Sequence, residues 1–206
     1  MLSLIREEAD MYGSSRAGIV IGLWLQSLTL LFFAGCQQQQ SEVGLYVDAM
    51  TLREAGQNVM AIEKLNEAVK ADENFTLAHS SLCEIYQEMN DYTRSAAACR
   101  RAVELNPWSF EDHLNLGWSF LSMQRPELAA RAFSRACELK PDHLTANVNA
   151  AMSYYEMRDY RRALFYGKRI QQIDPNTEGI EDFISDVQWA AGQKSPSGVA
   201  SRRRLR

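Results

Sequence analysis

A period of 34 residues runs through most of this chain, and few folds satisfy it. Small residues recur at Ala49, Cys83, Gly117 and Ala151, each 34 positions after the last. Three further on stand larger apolar residues, Leu52, Tyr86, Phe120 and Tyr154. A second small series, Ala61, Ser95, Ala129 and Ala163, precedes Leu65, Cys99, Phe133 and Gly167, and then Ala68, Ala102, Ala136 and Ile170. Asn106-Pro107, Lys140-Pro141 and Asp174-Pro175 close the last three units, with Asp72-Glu73 in the first. A fixed period of this length marks an array in which each unit buries its apolar face on its neighbours.

Within a unit the apolar positions are three and four apart, which is helical spacing. Turn formers at Gly56-Gln57-Asn58, Met89-Asn90-Asp91, Gln124-Arg125-Pro126 and Arg158-Asp159 split each unit into two helices. Pro126 suits a first helical position, where its missing N–H costs nothing. The small residues let two helix backbones approach while neighbouring aromatics fill the space beside them. With 11 Gly and 5 Pro in 206 residues, an all-β fold built on frequent turns is not expected.

This pattern resembles the tetratricopeptide repeat over residues 42–177, as units 42–75, 76–109, 110–143 and 144–177. The third unit matches best, with Leu116, Gly117, Phe120, Ala129, Phe133, Ala136 and Pro141 in place. Departures are Asp48 for a usual Leu, Glu73 for Pro, and Gly167 for a large residue. Ile170, larger than the usual Ala, is expected to fill the space at Gly167. Residues 178–191 read as a capping helix whose Glu181, Asp182 and Asp186 give the polar outer face that ends a stack. The resemblance implies an all-α fold, a right-handed α-solenoid of four helical hairpins plus this cap.

The N-terminus is read separately. Ala17 to Ala34 is an apolar stretch after Arg16, ending at Gly35-Cys36. That arrangement is expected for a secretory signal over residues 1–35. Phe33-Ala34-Gly35-Cys36 resembles a bacterial lipobox, which implies lipidation of Cys36; Phe33 departs from the usual Leu. Glu7, Glu8 and Asp10 are foreign to a signal's basic region, and Met11 makes a cleaner start than Met1. An uncleaved transmembrane anchor is the alternative. Residues 36–41, with the run Gln37–Gln40, read as a polar tether. Gln37 stands where an inner-membrane retention Asp would be, so the resemblance implies an outer-membrane lipoprotein facing the periplasm where two membranes exist.

Charge is unevenly spread. Residues 36–193 carry 15 basic and 23 acidic side chains, a net −8, whereas 194–206 hold five basic and no acidic ones. Residues 192–206 are expected to be a disordered basic tail, and a nucleic-acid partner gains no support from the acidic body. His79 and His113 share a repeat position where the resembled family packs a large side chain, so they read as structural. His143 falls between units. With no HExxH, GxSxG, CxxC or phosphate-loop pattern, no enzyme, metal or cofactor is expected. Cys83 and Cys99 fall on facing helices of one hairpin. They read as two small buried residues, with a disulfide as the alternative in an oxidising compartment. Cys137 reads as unpaired.

The resemblance further implies that the first helix of each unit lines a concave groove. Its positions here are Val43, Tyr46, Met50, Leu77, Leu114, Trp118, Leu121, Val148, Met152 and Tyr155, with Ser80, Asn115 and Asn149. Glu84, Glu88 and Glu156 make it acidic. Trp118 and Tyr155 are expected as anchors, and the Asn115 and Asn149 amides as donors to an extended peptide. The family's basic clamp for acidic chaperone tails lacks its lysines here, so a basic or amphipathic protein segment is expected instead. The function expected is a membrane-tethered scaffold that binds such segments and aids assembly of an envelope complex, such as pilus, secretin or cell-wall machinery. Alternatives are a substrate-recruiting subunit of a glycosyltransferase-type enzyme, or a passive spacer. A homo-oligomer is compatible with either.

Overall fold

The computed structural model describes residues 41–192. The expected signal segment, Cys36, most of the tether and the basic tail lie outside these residues. Among the described residues there are helices and no strands. They run α1 (Glu42–Glu54), α2 (Asn58–Ala71), α3 (Thr76–Glu88), α4 (Tyr92–Leu105), α5 (Phe110–Ser122), α6 (Pro126–Leu139), α7 (Leu144–Glu156), α8 (Tyr160–Ile173) and α9 (Ile180–Ala190). Each packs on its sequence neighbours, and α3 also meets α5 across the stack. The result is an all-α repeat solenoid of four hairpins, α1–α2 to α7–α8, with α9 laid on the last.

Local chemistry sets the helix ends. Ser41, Asp91, Ser109 and Asp159 accept from the backbone N–H three residues on, and His143 Nδ1 does the same from Ala146. Pro126 opens α6. Between the two helices of every unit one residue takes the left-handed conformation: Gly56 (φ 73°), Asn90 (59°), Gln124 (57°) and Arg158 (60°). These four stand 34 apart. In each, the next residue's N–H reaches five back, as Gln57 to the Leu52 carbonyl at 2.9 Å, closing a Schellman turn. The turn geometry is thus kept while its residue drifts from Gly, which adopts it freely, to Arg, which does not.

The cores form where the two helices of a hairpin cross. The facing positions are Ala49 and Leu65, Cys83 and Cys99, Gly117 and Phe133, Ala151 and Gly167, all of them buried. The first and third pairs join a small residue to a large one. In the second, the two cysteines, with Cα atoms 5.0 Å apart, are joined by a disulfide. Cys137 is a free buried thiol, and burial pushes its pKa up to about 12. The fourth pair is too small to fill its crossing, and the expectation that Ile170 completes it is corrected. Phe183 of α9 does so: a β-carbon on Gly167 would meet its ring at 3.2 Å and Ile184 at 3.4 Å. The cap therefore plugs the last hairpin as well as covering it.

Candidate binding groove

The first helices α1, α3 and α5 line a shared pocket of about 370 Å³ built from Arg53, Glu84, Gln87, Glu88, Glu111, Leu114 and Asn115. Arg53 reaches across from α1, giving Nη1 to Glu84 at 2.7 Å and Nη2 to Glu88 at 2.5 Å. Partial burial works against its charge, but the hydrogen bonds to Glu88 and Glu84 outweigh that and hold its pKa above the ordinary value. Glu111 is bound by Lys140 at 2.7 Å, and that bond holds its carboxyl below the usual range. The lining thus offers three carboxylates, two carboxamides and one apolar wall, with each carboxylate already held by a cation.

Arg53 belongs to a series. Arg53, Gln87, Leu121 and Tyr155 occupy equivalent places; Arg53 and Gln87 reach the first helix of the next unit. Gln87 Nε2 donates to the Asn115 carbonyl at 2.6 Å and to Ser119 Oγ at 2.9 Å. Ser119 Oγ donates in turn to the Asn115 carbonyl at 3.0 Å and lies 2.8 Å from Ser95 Oγ, which bonds the Cys83 carbonyl. One unit on, Leu121 replaces Gln87 and Ala129 replaces Ser95. There Asn149 Nδ2 and Ser153 Oγ, the counterparts of Asn115 and Ser119, are buried without a hydrogen-bond partner. Tyr155 closes the series by packing on Phe183, with ring centroids 5.8 Å apart.

The expected groove residues separate accordingly. Leu77 is 55% exposed and Trp118 39% exposed, its indole edge-on to Phe133 at 5.9 Å. Val43 is exposed as well. Leu114, Leu121, Val148 and Met152 are half-buried against the core. Tyr46 packs on Phe75 at 5.6 Å, and Met50 on Ser81, so neither is a free anchor. Tyr155, expected as an anchor, lies between Tyr160 and Phe183 and serves the seat of the cap. Asn115 is half-buried and lines the pocket, whereas Asn149 is only 7% exposed. Glu84 lines the pocket through its bond to Arg53. Arg53 and Gln87 share the repeat position of Leu121 and Tyr155, so the place was legible as groove-lining; the sequence did not show that a polar side chain there bonds to the next helix.

The histidines are structural. His79 Nε2 lies 3.1 Å from the Glu73 carbonyl, and His113 Nε2 lies 3.1 Å from that of Pro107, so both tie a helix to the loop before it. Burial holds the His113 pKa below its ordinary value. Among the described residues no group of three or more His, Cys, Asp or Glu is placed to hold a metal ion. Nor is any helix there long and apolar enough to cross a membrane.

Models of the tetratricopeptide repeat match residues 114–177 and 82–107. The chain is 25% identical over 114 residues to anaphase-promoting complex subunit 3 of Schizosaccharomyces pombe, a match covering 55% of this chain and 17% of that one. It therefore spans under a fifth of that relative's length. Among solved structures, MamA matches with a TM-score of 0.66 at 20% identity, covering 73% of this chain and 83% of that one. YrrB, described as a TPR protein with an unusual peptide-binding site, matches with a TM-score of 0.69 at 15% identity, over 77% of this chain and 81% of that one. At these identities the structural likeness shows the fold.

Proposed function

Since the chain is a tetratricopeptide repeat protein, we propose that it acts as a binding scaffold, taking an extended protein segment along α1, α3 and α5. The observation that carries this reading is the pocket between those helices, two of which also hold Leu77 and Trp118 exposed to solvent. Apolar side chains held at the surface cost free energy in the unbound protein, and a bound segment recovers it. Three carboxylates in the lining favour a segment with Lys or Arg, which would compete with Arg53 and Lys140 for them. Similar repeats are peptide binders, YrrB by its description among them. The function proposed is recognition rather than catalysis.

The N-terminal sequence completes the reading. Arg16, the apolar run 17–34 and Cys36 support export and attachment to a membrane by a lipid or an uncleaved anchor. The scaffold would then hold partners of a bacterial envelope complex beside that membrane.

A cross-linked pull-down from native membranes tests both parts, comparing wild type with Leu77→Ser plus Trp118→Ala, after circular dichroism confirms folding. Loss of the wild-type partners from the variant is expected. Retention of the same partners would place binding outside this groove, and recovery of the chain in the soluble fraction would end the membrane reading.

A further inference from the structure

The second helix of the last unit differs from the other three. α8 carries Arg161, Arg162, Lys168 and Arg169 and no acidic residue. In α2 and α6 basic and acidic residues balance, and α4 sets Glu104 against its arginines. At helical spacing Arg161, Phe165, Lys168 and Gln172 form one outward stripe, with Arg162 and Arg169 along its edge. The opposite side, Ala163, Tyr166, Gly167 and Ile170, is buried in the stack. At the centre of the cationic stripe Phe165 is 57% exposed, its ring packed perpendicular to that of Tyr166 at 5.1 Å.

Three of these four cations make no ion pair within the described fold, although Arg161 lies close enough to Asp159 to help lower its pKa. Arg162 is held by Asp159 and lies over the Tyr154 ring. Arg161, Lys168 and Arg169 make no ion pair among the described residues. The acids of the neighbouring cap, Glu181, Asp182 and Asp186, make none either. Asp186 is raised by burial and then by Asp182, so no α8 cation offsets its charge.

We propose that the outer face of α8 is a contact surface for anionic lipid headgroups, with Phe165 entering the interface between its flanking cations. An aromatic ring with an apolar body inside a ring of long cationic stems suits a boundary that is apolar below and anionic above. A nucleic acid would have to pass a body of net −8, whereas a bilayer needs to meet only one face. The five basic residues of 194–206 would add to the same attraction. This rests on the membrane-tethered reading above for what brings the face to a bilayer.

The test is vesicle flotation of the full-length chain with phosphatidylcholine alone and with about 30% phosphatidylglycerol, at low salt and at about 0.5 M salt. Anionic lipid is expected to tighten binding about tenfold at low salt, and high salt to remove that preference. Arg161→Glu with Lys168→Glu should abolish the preference while leaving binding to the neutral vesicles unchanged. Phe165→Ala should weaken it several-fold. If the double variant keeps the preference and neutralising Arg202, Arg203 and Arg204 removes it, the tail is the contact and the proposal is overturned. No preference in the wild type, with capture on polyglutamate instead, would make the face a protein-docking surface. A preference for anionic vesicles without binding to neutral ones would sink the tether and leave the α8 contact standing.

Discussion

The ring of Phe133 fills the place that a side chain on Gly117 would take: a β-carbon there would lie 2.5 Å from its Cε1 atom. The pair leaves no room for a β-carbon at this crossing, and its counterparts Ala49 and Leu65 reach the same end with a larger small residue and a smaller large one. Gly117→Ala should therefore destabilise the protein by about 1–3 kcal/mol, through overpacking against a fully buried ring. Adding Phe133→Leu, which recreates the first unit's pairing, should recover much of that loss. Urea denaturation of both single variants and the double decides it; purely additive losses would show that the two side chains are not coupled.

Phe183 should be worth more than its place in a terminal helix suggests. Its ring fills the crossing that Gly167 leaves open and also meets Tyr155. Phe183→Ala is expected to cost about 3–5 kcal/mol, because it removes a buried ring and leaves a cavity at the Gly167 crossing. Hydrogen exchange should show protection falling in α8 and α7 as well as in α9. Loss confined to α9 would mean that the cap covers the stack without supporting it.

Two joints that differ chiefly at Gln87 against Leu121, and at Ser95 against Ala129, allow a reciprocal experiment. Gln87 bonds the Asn115 carbonyl and Ser119 Oγ on α5, whereas Leu121 offers no such bond to α7, where Ser153 Oγ is buried without a partner. Gln87→Leu should destabilise by about 1–2 kcal/mol, by removing two hydrogen bonds between α3 and α5. Leu121→Gln should do the opposite, raising stability by about 1 kcal/mol as its amide meets Ser153 and the Asn149 carbonyl. Thermal unfolding of the two variants provides the comparison, and a loss of stability in both would refute the equivalence of the joints.

How far the sequence could be read follows from the same residues. The hairpins were legible because Ala49, Cys83, Gly117 and Ala151 repeat a requirement that every unit shares. Phe183 as the filler for Gly167 was not, since a search within α8 finds Ile170, and the missing volume comes from the following helix. Tyr155 occupies a groove position by register but packs against the cap α9 instead of a further hairpin's first helix. The pocket was half legible: Glu84 and Asn115 sit at expected groove positions, while Arg53 and Gln87 act through a place that holds four different chemistries in four units. Repetition reveals what is common to the units, and the site is made where they differ.

The tie between His113 and the Pro107 carbonyl carries a pH signature. Burial, reinforced by Arg135, holds the His113 pKa below its ordinary 6.5, even though the hydrogen bond to Pro107 opposes the shift. The unfolded chain therefore takes up a proton before the folded one does as pH falls. By linkage, stability contributed at this site is present above the unfolded value and declines as pH drops through 6.5, levelling off below the folded pKa. His113→Gln keeps a donor for the Pro107 carbonyl and removes the titration. Wild type minus variant stability, followed by urea denaturation from neutral pH down to about pH 5, should fall with acidification. A flat difference across that range would mean that the imidazole is solvated as well in the fold as outside it.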